Sequence, residues 1–324
     1  MNISYDLTIA IPTFNGEKTL EKAILSVINQ KLDGLKLQIL ISDDFSSDKT
    51  ISIIEKYQNY KNVKILKNTK NPHPEYGAIR NFNTCIKNAD GKYFMILCQD
   101  DYLSSNYAIS TFKNLEKNEN SISVGLCIGK DKKNKIIHSS YSKNINIDGI
   151  DAIRSLILGN IKTIRHAWIM MATKTNDFIK VGGFPKTLRA QCSDQILLYR
   201  LLLEKKLICD AGSTYFYLIH ENSYGNSDTK YLGRAFIQSE VYWQKEIMPI
   251  LKHKISQSEI AYLTKKMNIG HARLFILRVI LYGGTIFQKI KLLINFEKKS
   301  WIIGILFDMY SYKRVIRRLI GFNK

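Results

Sequence analysis

Residues 7–15 read LTIAIPTFN, an apolar run with β-branched side chains that ends at Pro12 and Asn15. Such a run, followed by turn-forming residues, is typical of a buried strand that leads into a loop. Between residues 19 and 30 the apolar residues take the spacing of one helical face instead. The order of strand, loop and helix at the start of the chain predicts an α/β fold.

The same alternation continues through the first hundred residues. Strands are predicted at 37–42 (LQILIS), 63–66 (VKIL) and 93–98 (YFMILC), with helices over 49–58 and 78–88. The last of these strands is apolar throughout, as expected for a strand that is buried on both faces of a parallel sheet. The first half of the chain therefore predicts a mostly parallel sheet flanked by helices.

The pattern is less regular further along the chain. It predicts strands near 122–128, 135–138 and 166–173, and helices near 149–158 and over 194–204. Beyond about residue 230 the periodicity is helical almost to the last residue. The polar stretch YGNSDTKY at 225–232 indicates a domain boundary, so an α/β domain over 1–228 and a helical region over 229–324 are predicted.

The composition limits the classes of protein that the chain can belong to. Lys and Arg outnumber Asp and Glu by 48 to 28, a formal net charge of +20, which indicates an anionic partner such as nucleic acid, a phospholipid surface or a phosphorylated small molecule. The five cysteines are scattered without zinc-ligand spacing, and the N-terminus resembles no secretory signal. A reducing cytoplasm and no transmembrane segment are the expectations.

Polar residues follow three of the predicted strands, at Pro12–Asn15, Asp43–Asp48 and Gln99–Asp101. In open parallel sheets ligands bind outside the carboxyl ends of the strands. Adjacent carboxylates such as Asp100 and Asp101 repel each other, and Mg²⁺ or Mn²⁺ would offset the repulsion; a surface turn is the alternative. Asp43 or Asp44 could accept hydrogen bonds from a base or a ribose, or belong to a helix-capping cluster with Asp48.

Taken together and in this order, the motifs resemble glycosyltransferase family 2, which has the GT-A fold. The resembling residues are IPTFN (11–15), SVINQ (26–30), ISDDFSSDKT (41–50), GAIRN (77–81), ADGKY (89–93), QDD (99–101), GGF (182–184) and SDQ (193–195). The resemblance implies a nucleotide-binding half over 1–105 and an acceptor half over 106–228. It also implies an enzyme that inverts the anomeric centre of a UDP-sugar.

The resemblance assigns roles to individual residues. Pro12, Thr13 and Phe14 would line the base pocket, and Asp44 would read the edge of the base. Arg80 would approach the nucleotide or its phosphates, and Asp100 would face the ribose or the metal. Asp101 would bind an Mn²⁺ or Mg²⁺ ion that bridges to the diphosphate.

Asp194 matches the position of the catalytic base in this family, and a helix N-cap is the alternative interpretation. The chain departs from the family pattern at Ser193, where Glu is usual, and at Cys98-Gln99-Asp100-Asp101, where Asp-x-Asp is common. His220 is a further candidate metal ligand, and a structural histidine is the alternative.

The last 54 residues, 271–324, combine eleven Lys or Arg with two acids among apolar and aromatic residues. This composition is typical of helices at an anionic membrane surface, and packing on the main domain or homo-oligomerisation is the alternative. The expected acceptor is a glycan or an undecaprenyl-diphosphate-linked glycan of a bacterial surface polysaccharide, O-antigen, capsule or teichoic acid, at the inner face of the plasma membrane.

Three other functions fit parts of the sequence. A nucleic-acid-binding protein would account for the charge but not for the acidic strand ends, so no nucleic acid is expected. A non-catalytic subunit with the same fold would bind nucleotide without turnover. A nucleotidyltransferase would also use paired aspartates and a metal, although the IPTFN loop and Asp194 favour glycosyl transfer.

Overall fold

A computed structural model describes residues 4–131, 133, 135–139, 144–160, 168–218, 229–282, 285–296 and 298. The chain divides into two compact units. The α/β unit comprises Met1–Lys186 with Ser193–His220, and the helical unit comprises Thr187–Cys192 with Glu221–Lys324. The boundary predicted at residue 228, and the division of the first domain at residue 105, stay predictions.

The first sheet of the α/β unit follows the predicted alternation. Its elements are β1 (Tyr5–Thr13), α1 (Leu20–Ile28), β2 (Leu37–Asp43), α2 (Thr50–Glu55), β3 (Val63–Lys67), α3 (Ile79–Asn88) and β4 (Gly91–Ile96). The strands lie in the order β3-β2-β1-β4 and are parallel. Since the chain adds β2 and β3 on one side of β1 and then β4 on the other, the strand order reverses between β1 and β4.

Burial accounts for these elements. All seven residues of β2 are buried, and so are residues 7–13 of β1, because helices cover both faces of the sheet. Helix α1 buries Leu20, Ala23, Ile24 and Val27, which form its apolar face. Gly91 begins β4 where a Cβ atom would lie 2.6 Å from the backbone nitrogen of Thr8, so only glycine allows the strands to approach there.

A second sheet follows in the chain. Its unit contains β5 (Tyr102–Leu103), α4 (Tyr107–Lys117), β6 (Ser121–Lys130), β7 (Ile136–Ser139), β8 (Ile145–Ile147), α5 (Gly149–Leu158), β9 (Thr173–Lys174), α6 (Thr175–Lys180), α7 (Ser193–Leu202) and β10 (Lys206–Leu218). The order is β5-β10-β6-β7, with β8 also paired to β10. Strands β6 and β10 are parallel, and the other pairs of this sheet are antiparallel.

The structure differs from the prediction for this region in two places. The described part of the strand predicted near 166–173 is a 3₁₀ turn, Trp168–Met170, before the short strand β9, which adds antiparallel to β4. Strand β10 was not predicted, because its polar residues around the bulge between Asp210 and Thr214 interrupt the apolar pattern.

The helical unit contains α8 (Thr229–Tyr242), a π-helical turn (Trp243–Ile247), α9 (Met248–Leu251), α10 (Gln257–Tyr282) and α11 (Ile286–Ile294). The helices predicted beyond residue 230 are therefore confirmed as far as residue 294. The core of the unit consists of apolar residues that are almost fully buried: Leu232, Phe236, Ile269, Ala272, Phe275, Val279 and Phe296. Among the residues described, every helix is too short or too polar to cross a membrane.

Candidate functional site

At the point where the strand order reverses, hydrogen bonds connect the loop after β1 to the loop after β4. The side-chain amide of Gln99 accepts the backbone N–H of Phe14 at 2.9 Å and donates to the Phe14 carbonyl at 3.1 Å. The Thr13 hydroxyl donates to the same amide oxygen at 2.5 Å. A Cβ atom on Gly16 would lie 2.5 Å from that oxygen, so a side chain at this position would displace the Gln99 amide. These contacts fix the floor of a crevice at the carboxyl ends of the two strands.

The loops after β1 and β2 are joined in a similar way. The backbone N–H of Asn15 donates to Ser46 Oγ, and the backbone N–H of Ser47 donates to Asn15 Oδ1, both at 2.8 Å. Asn15 and Phe45 have left-handed backbones, with φ of 48° and 70°. The rings of Phe14 and Phe45 in the same loops are exposed, at 55% and 56%. Strained residues and unpacked rings at one sheet edge are typical of a ligand site.

Asp44 lies buried behind this edge. Its carboxylate forms an ion pair with Arg80, and the Arg80 guanidinium also donates to the Thr69 carbonyl at 2.5 Å. The neighbouring Asn81 is buried, accepts the Ser42 hydroxyl at 2.6 Å and donates to the Ser42 carbonyl at 2.8 Å. The GAIRN motif thus holds the ends of β1 and β2, and Arg80 orients Asp44. Whether Arg80 also meets a nucleotide stays a prediction.

The acidic pair follows β4. Asp101 is buried, its Oδ2 accepts the Tyr215 hydroxyl at 2.7 Å, and its Oδ1 accepts the backbone N–H of Leu218 at 3.0 Å. Asp100 is half-buried, and ligand atoms of Cys98, Asp100 and Asp101 lie within 4.8 Å of one another. Burial, and then the neighbouring Asp100, raise the pKa of Asp101 well above its usual value. A divalent cation would stabilise both carboxylates in ionised form, and the oxygen donors fit Mg²⁺ or Mn²⁺.

Asp194 lies in the first turn of α7. Burial raises the pKa of its carboxyl to about 6, against the effect of a hydrogen bond from the Gln195 backbone N–H at 2.8 Å. Its charge contributes to the raised pKa of the Cys98 thiol, after burial and the charges of Asp101 and Asp100. Asp194 therefore lies within electrostatic reach of Cys98, which precedes the acidic pair in the chain. An acid with a pKa near neutrality can accept a proton from a bound hydroxyl.

Sequence reasoning missed several residues of this edge. Gln99, Phe45 and Asn81 were quoted only within motifs, and Tyr215 was not considered. An exposed aromatic residue in a polar strand-end loop was the available signal for Phe45, whereas the partners of Gln99 and Tyr215 are 85 and 114 residues away. Pro12 is buried in β1, opposite Ser42. The candidate ligand His220 lies outside the described residues.

In this parallel sheet the strand order reverses beside an exposed ring, an acidic pair and a separate acid at a helix start. This arrangement is that of the GT-A class of nucleotide-sugar-binding folds. Solved structures agree: a TarS fragment (residues 1–349) from S. aureus matches with a TM-score of 0.65 and 16% identity, over 89% of this chain and 79% of that one. The same fragment in complex with UDP-GlcNAc matches with a TM-score of 0.58 and 16% identity, over 84% and 81%. At this identity the likeness shows the fold alone.

The family model described as glycosyl transferase family 2 matches residues 8–175, and the chain belongs to that family. A poly(ribitol-phosphate) beta-glucosyltransferase of Bacillus spizizenii is 25% identical over 297 residues. The match covers 91% of this chain but 43% of that protein, so the chain spans less than half of it. The poly(ribitol-phosphate) beta-N-acetylglucosaminyltransferase TarP of Staphylococcus aureus is 25% identical, over 90% of this chain and 87% of TarP. The predicted family and fold class are thus confirmed.

Proposed function

We propose that the chain is an inverting glycosyltransferase that moves a hexose or N-acetylhexosamine from a UDP-sugar to a hydroxyl of a bacterial surface polysaccharide or its lipid-linked precursor. The observation that supports this most directly is Asp194, a carboxyl with a raised pKa whose charge reaches Cys98, two residues before Asp100. The UDP-GlcNAc complex of the structurally similar TarS fragment supports the donor class, and the names of the two relatives support the acceptor class.

The donor roles follow from the crevice. Phe14 presents an exposed ring on which a uracil can stack, while Pro12 and Thr13 form the strand end behind it. Asp44, oriented by Arg80, provides carboxylate oxygens for the N–H edge of the base. Asp100 is the more accessible member of the acidic pair and is assigned to the ribose or the metal.

Asp101, with Asp100 beside it, would hold an Mn²⁺ or Mg²⁺ ion. When bound, such an ion offsets the negative charge that develops on a departing nucleoside diphosphate. The Tyr215 hydroxyl and the Leu218 backbone N–H orient Asp101, so its oxygens keep a fixed direction at the crevice. Hydrogen bonds of this kind to a ligating carboxylate typically strengthen a metal site.

Asp194 is the proposed general base. Its Oδ1 accepts the Gln195 backbone N–H, so Oδ2 is the oxygen that we assign to the proton of the acceptor hydroxyl. The backbone before it is strained: Arg189, Ala190 and Cys192 all have left-handed φ values, of 53°, 53° and 62°. Such strain costs about 1–3 kcal/mol per residue and is common where a catalytic group must be held in one orientation.

Helix α11 supports the proposed contact with an anionic membrane surface. Ile286, Phe287, Ile290 and Ile294 are exposed at 69%, 82%, 48% and 61%. The helix also has Lys289 and Lys291, and a complete capping box at Thr285 and Gln288 stabilises its start. An exposed apolar stripe with adjacent lysines is typical of a helix in a membrane interface.

Cosedimentation with vesicles that contain phosphatidylglycerol should be lost in Phe287→Glu and kept in Val241→Glu. Equal binding of the two variants would contradict the proposed membrane contact.

The activity is tested by release of nucleoside diphosphate from UDP-Glc, UDP-Gal, UDP-GlcNAc, UDP-GalNAc and GDP-Man, with Mn²⁺, Mg²⁺ or chelator. We expect metal-dependent release from one UDP-sugar, abolished in Asp101→Ala and slowed by roughly 10²–10⁴-fold in Asp194→Asn. Nucleotide binding without release from any donor would favour a non-catalytic subunit. If no donor binds in a thermal-shift titration, the glycosyltransferase proposal is wrong.

A further inference from the structure

A cluster of two aromatic rings and two lysines lies beside the acidic pair. The rings of Tyr102 and Phe216 stack with centroids 4.6 Å apart and planes 13° from parallel. The ammonium group of Lys22 lies 3.5 Å from the centre of the Tyr102 ring, and that of Lys130 lies 4.4 Å from the centre of the Phe216 ring. We call these four residues the ring–lysine cluster. Its distances are those of cation–π contacts, which hold each ammonium group near a ring.

The topology of the α/β unit places this cluster at the same edge as the proposed transfer site. Tyr102 directly follows Asp101, and Phe216 lies two residues before Leu218, whose backbone N–H binds Asp101. Lys130 ends β6 and lies opposite Leu218 in the parallel pairing of β6 with β10. Lys22 lies in the first turns of α1, after the crevice loop. All four residues are thus attached to the segments that form the site.

The charges of the cluster are not neutralised within the described part of the chain. Lys22 and Lys130 have no carboxylate within ion-pair distance among the described residues. Several other lysines of the same unit do have one, with Nζ to oxygen distances of 2.5–2.9 Å: Lys56, Lys64, Lys67, Lys92 and Lys205. Because neither ammonium group is held in an ion pair within the described residues, each can bind an anionic group of a ligand.

The rings add a second element of recognition. Tyr102 and Phe216 are half-buried and therefore present part of their surface to solvent. Ring faces pack against the C–H groups of sugars and polyols, while ammonium groups bind phosphate oxygens. In a ligand where polyol units alternate with phosphates, the polyol C–H groups and the phosphate oxygens lie close together. Such a ligand can therefore contact a ring and a neighbouring lysine at the same time. A nucleotide alone would already be bound by the Phe14 crevice and the acidic pair.

We propose that the ring–lysine cluster binds the phosphodiester groups of an anionic polyol-phosphate acceptor and guides one of its hydroxyls toward Asp194. The role of this polymer as the acceptor rests on the proposed function, whereas binding of the polymer does not. The cluster then acts on acceptor affinity, and the Phe14 crevice acts on donor affinity.

The test is a titration of the full chain with a short glycerol-phosphate oligomer, without donor or metal, followed by fluorescence anisotropy. We expect Lys22→Gln/Lys130→Gln to bind the oligomer at least about a hundredfold more weakly, since a hydrogen bond to a charged group contributes about 1.5–3 kcal/mol. Tyr102→Leu should weaken binding with both lysines retained. The matched control Lys56→Gln/Lys67→Gln removes the same charge from ion-paired lysines and should bind the oligomer like the wild type.

Further titrations separate the possible ligands. UDP affinity and the melting temperature of the Lys22→Gln/Lys130→Gln variant should equal those of the wild type. An equal loss of oligomer binding in the control variant would overturn the proposal, because charge alone would then account for it. A loss of UDP affinity would assign the cluster to the donor instead, and a loss of binding to phosphatidylglycerol vesicles without a loss of oligomer binding would assign it to lipid. If no UDP-sugar is turned over but the oligomer still binds through these lysines, the proposed function fails and the binding site stands.

Discussion

The carboxyl edge of the first sheet and the core of the helical unit use polar and aromatic residues in opposite ways. At the edge, Asp44 and Asp101 are buried with hydrogen-bond partners for both, and the Phe14 ring is exposed. In the core of the helical unit the aromatic rings are buried. Phe275 stacks on Phe296 and Phe236 on His271, both with centroids 4.5 Å apart.

The titratable groups differ in the same way. Burial lowers the pKa of His271 to about 4, so this histidine is neutral at physiological pH and packs like an aromatic residue. Burial raises the pKa of Asp194 to about 6, close to the pH at which the protein would work. The same physical cause therefore removes a charge from the helical core and creates a candidate base at the edge. Substitutions at the edge should change binding and rate, and those in the helical core should change stability.

The largest effect is expected for Asp194→Asn. The asparagine side chain keeps the size of aspartate but cannot accept the proton, and a general base contributes roughly 10²–10⁴-fold to rate. Turnover of the preferred donor should fall by that factor, while the affinity for UDP, measured by calorimetry, stays unchanged. Full turnover in this variant would show that Asp194 is a helix cap and that another group takes the proton.

Phe275→Ala should give the second largest effect, and on a different quantity. The ring is buried in the helical core, and truncation of a buried Phe costs about 3–5 kcal/mol of unfolding free energy. Urea denaturation followed by circular dichroism measures this loss. Tyr262→Ala, at a 49% exposed ring, is the control and should change stability little. A large loss of UDP affinity in folded Phe275→Ala protein would contradict the expectation that substitutions in the helical core change stability and not binding.

Phe14→Ala should have a smaller effect, on nucleotide affinity. Stacking of a base on an aromatic ring contributes about 1–3 kcal/mol, so the dissociation constant for UDP should rise by roughly fivefold to 150-fold. Because the ring is exposed, the melting temperature should not fall. Phe45→Ala, with an equally exposed ring on the next loop, shows whether the base uses one ring or both. If neither variant weakens UDP binding, the base lies elsewhere.

The smallest effect concerns stability and pH. The pKa of Asp194 in the folded chain, about 6, exceeds its ordinary value of 3.8, so the folded state holds this proton more tightly than the unfolded state does. Ionisation of Asp194 therefore costs the wild type stability as the pH rises through about 4 to 7. Asp194→Asn lacks this cost and should gain on the order of 1–3 kcal/mol relative to the wild type between pH 4 and pH 8. Urea denaturation at both values measures the gain, and an equal difference at the two values would contradict the raised pKa.

Local patterns in the sequence were enough to predict β1 to β4 and their helices, because each element is a short run with its own apolar period and turn residues. The strand-end acids could be predicted for the same reason. Strand β10 could not, since its polar bulge hides the period, and α4 and α6 were missed as well. The Gln99 bridge, the Tyr215 contact with Asp101 and the ring–lysine cluster depend on residues 80 to 114 positions apart, which only the folded chain brings together.

The central claim is that the carboxyl edge of the first sheet binds a UDP-sugar. Calorimetric titration of UDP with Mn²⁺ into the wild type, Asp44→Ala and Asp90→Ala tests it most directly. Asp90 is the matched control: like Asp44 it pairs with a cationic side chain, Lys64 at 2.9 Å, but it precedes β4 at the amino end of the sheet. We predict binding by the wild type and Asp90→Ala and a clear loss in Asp44→Ala. Equal affinity of all three proteins, or no binding by the wild type, would contradict the claim.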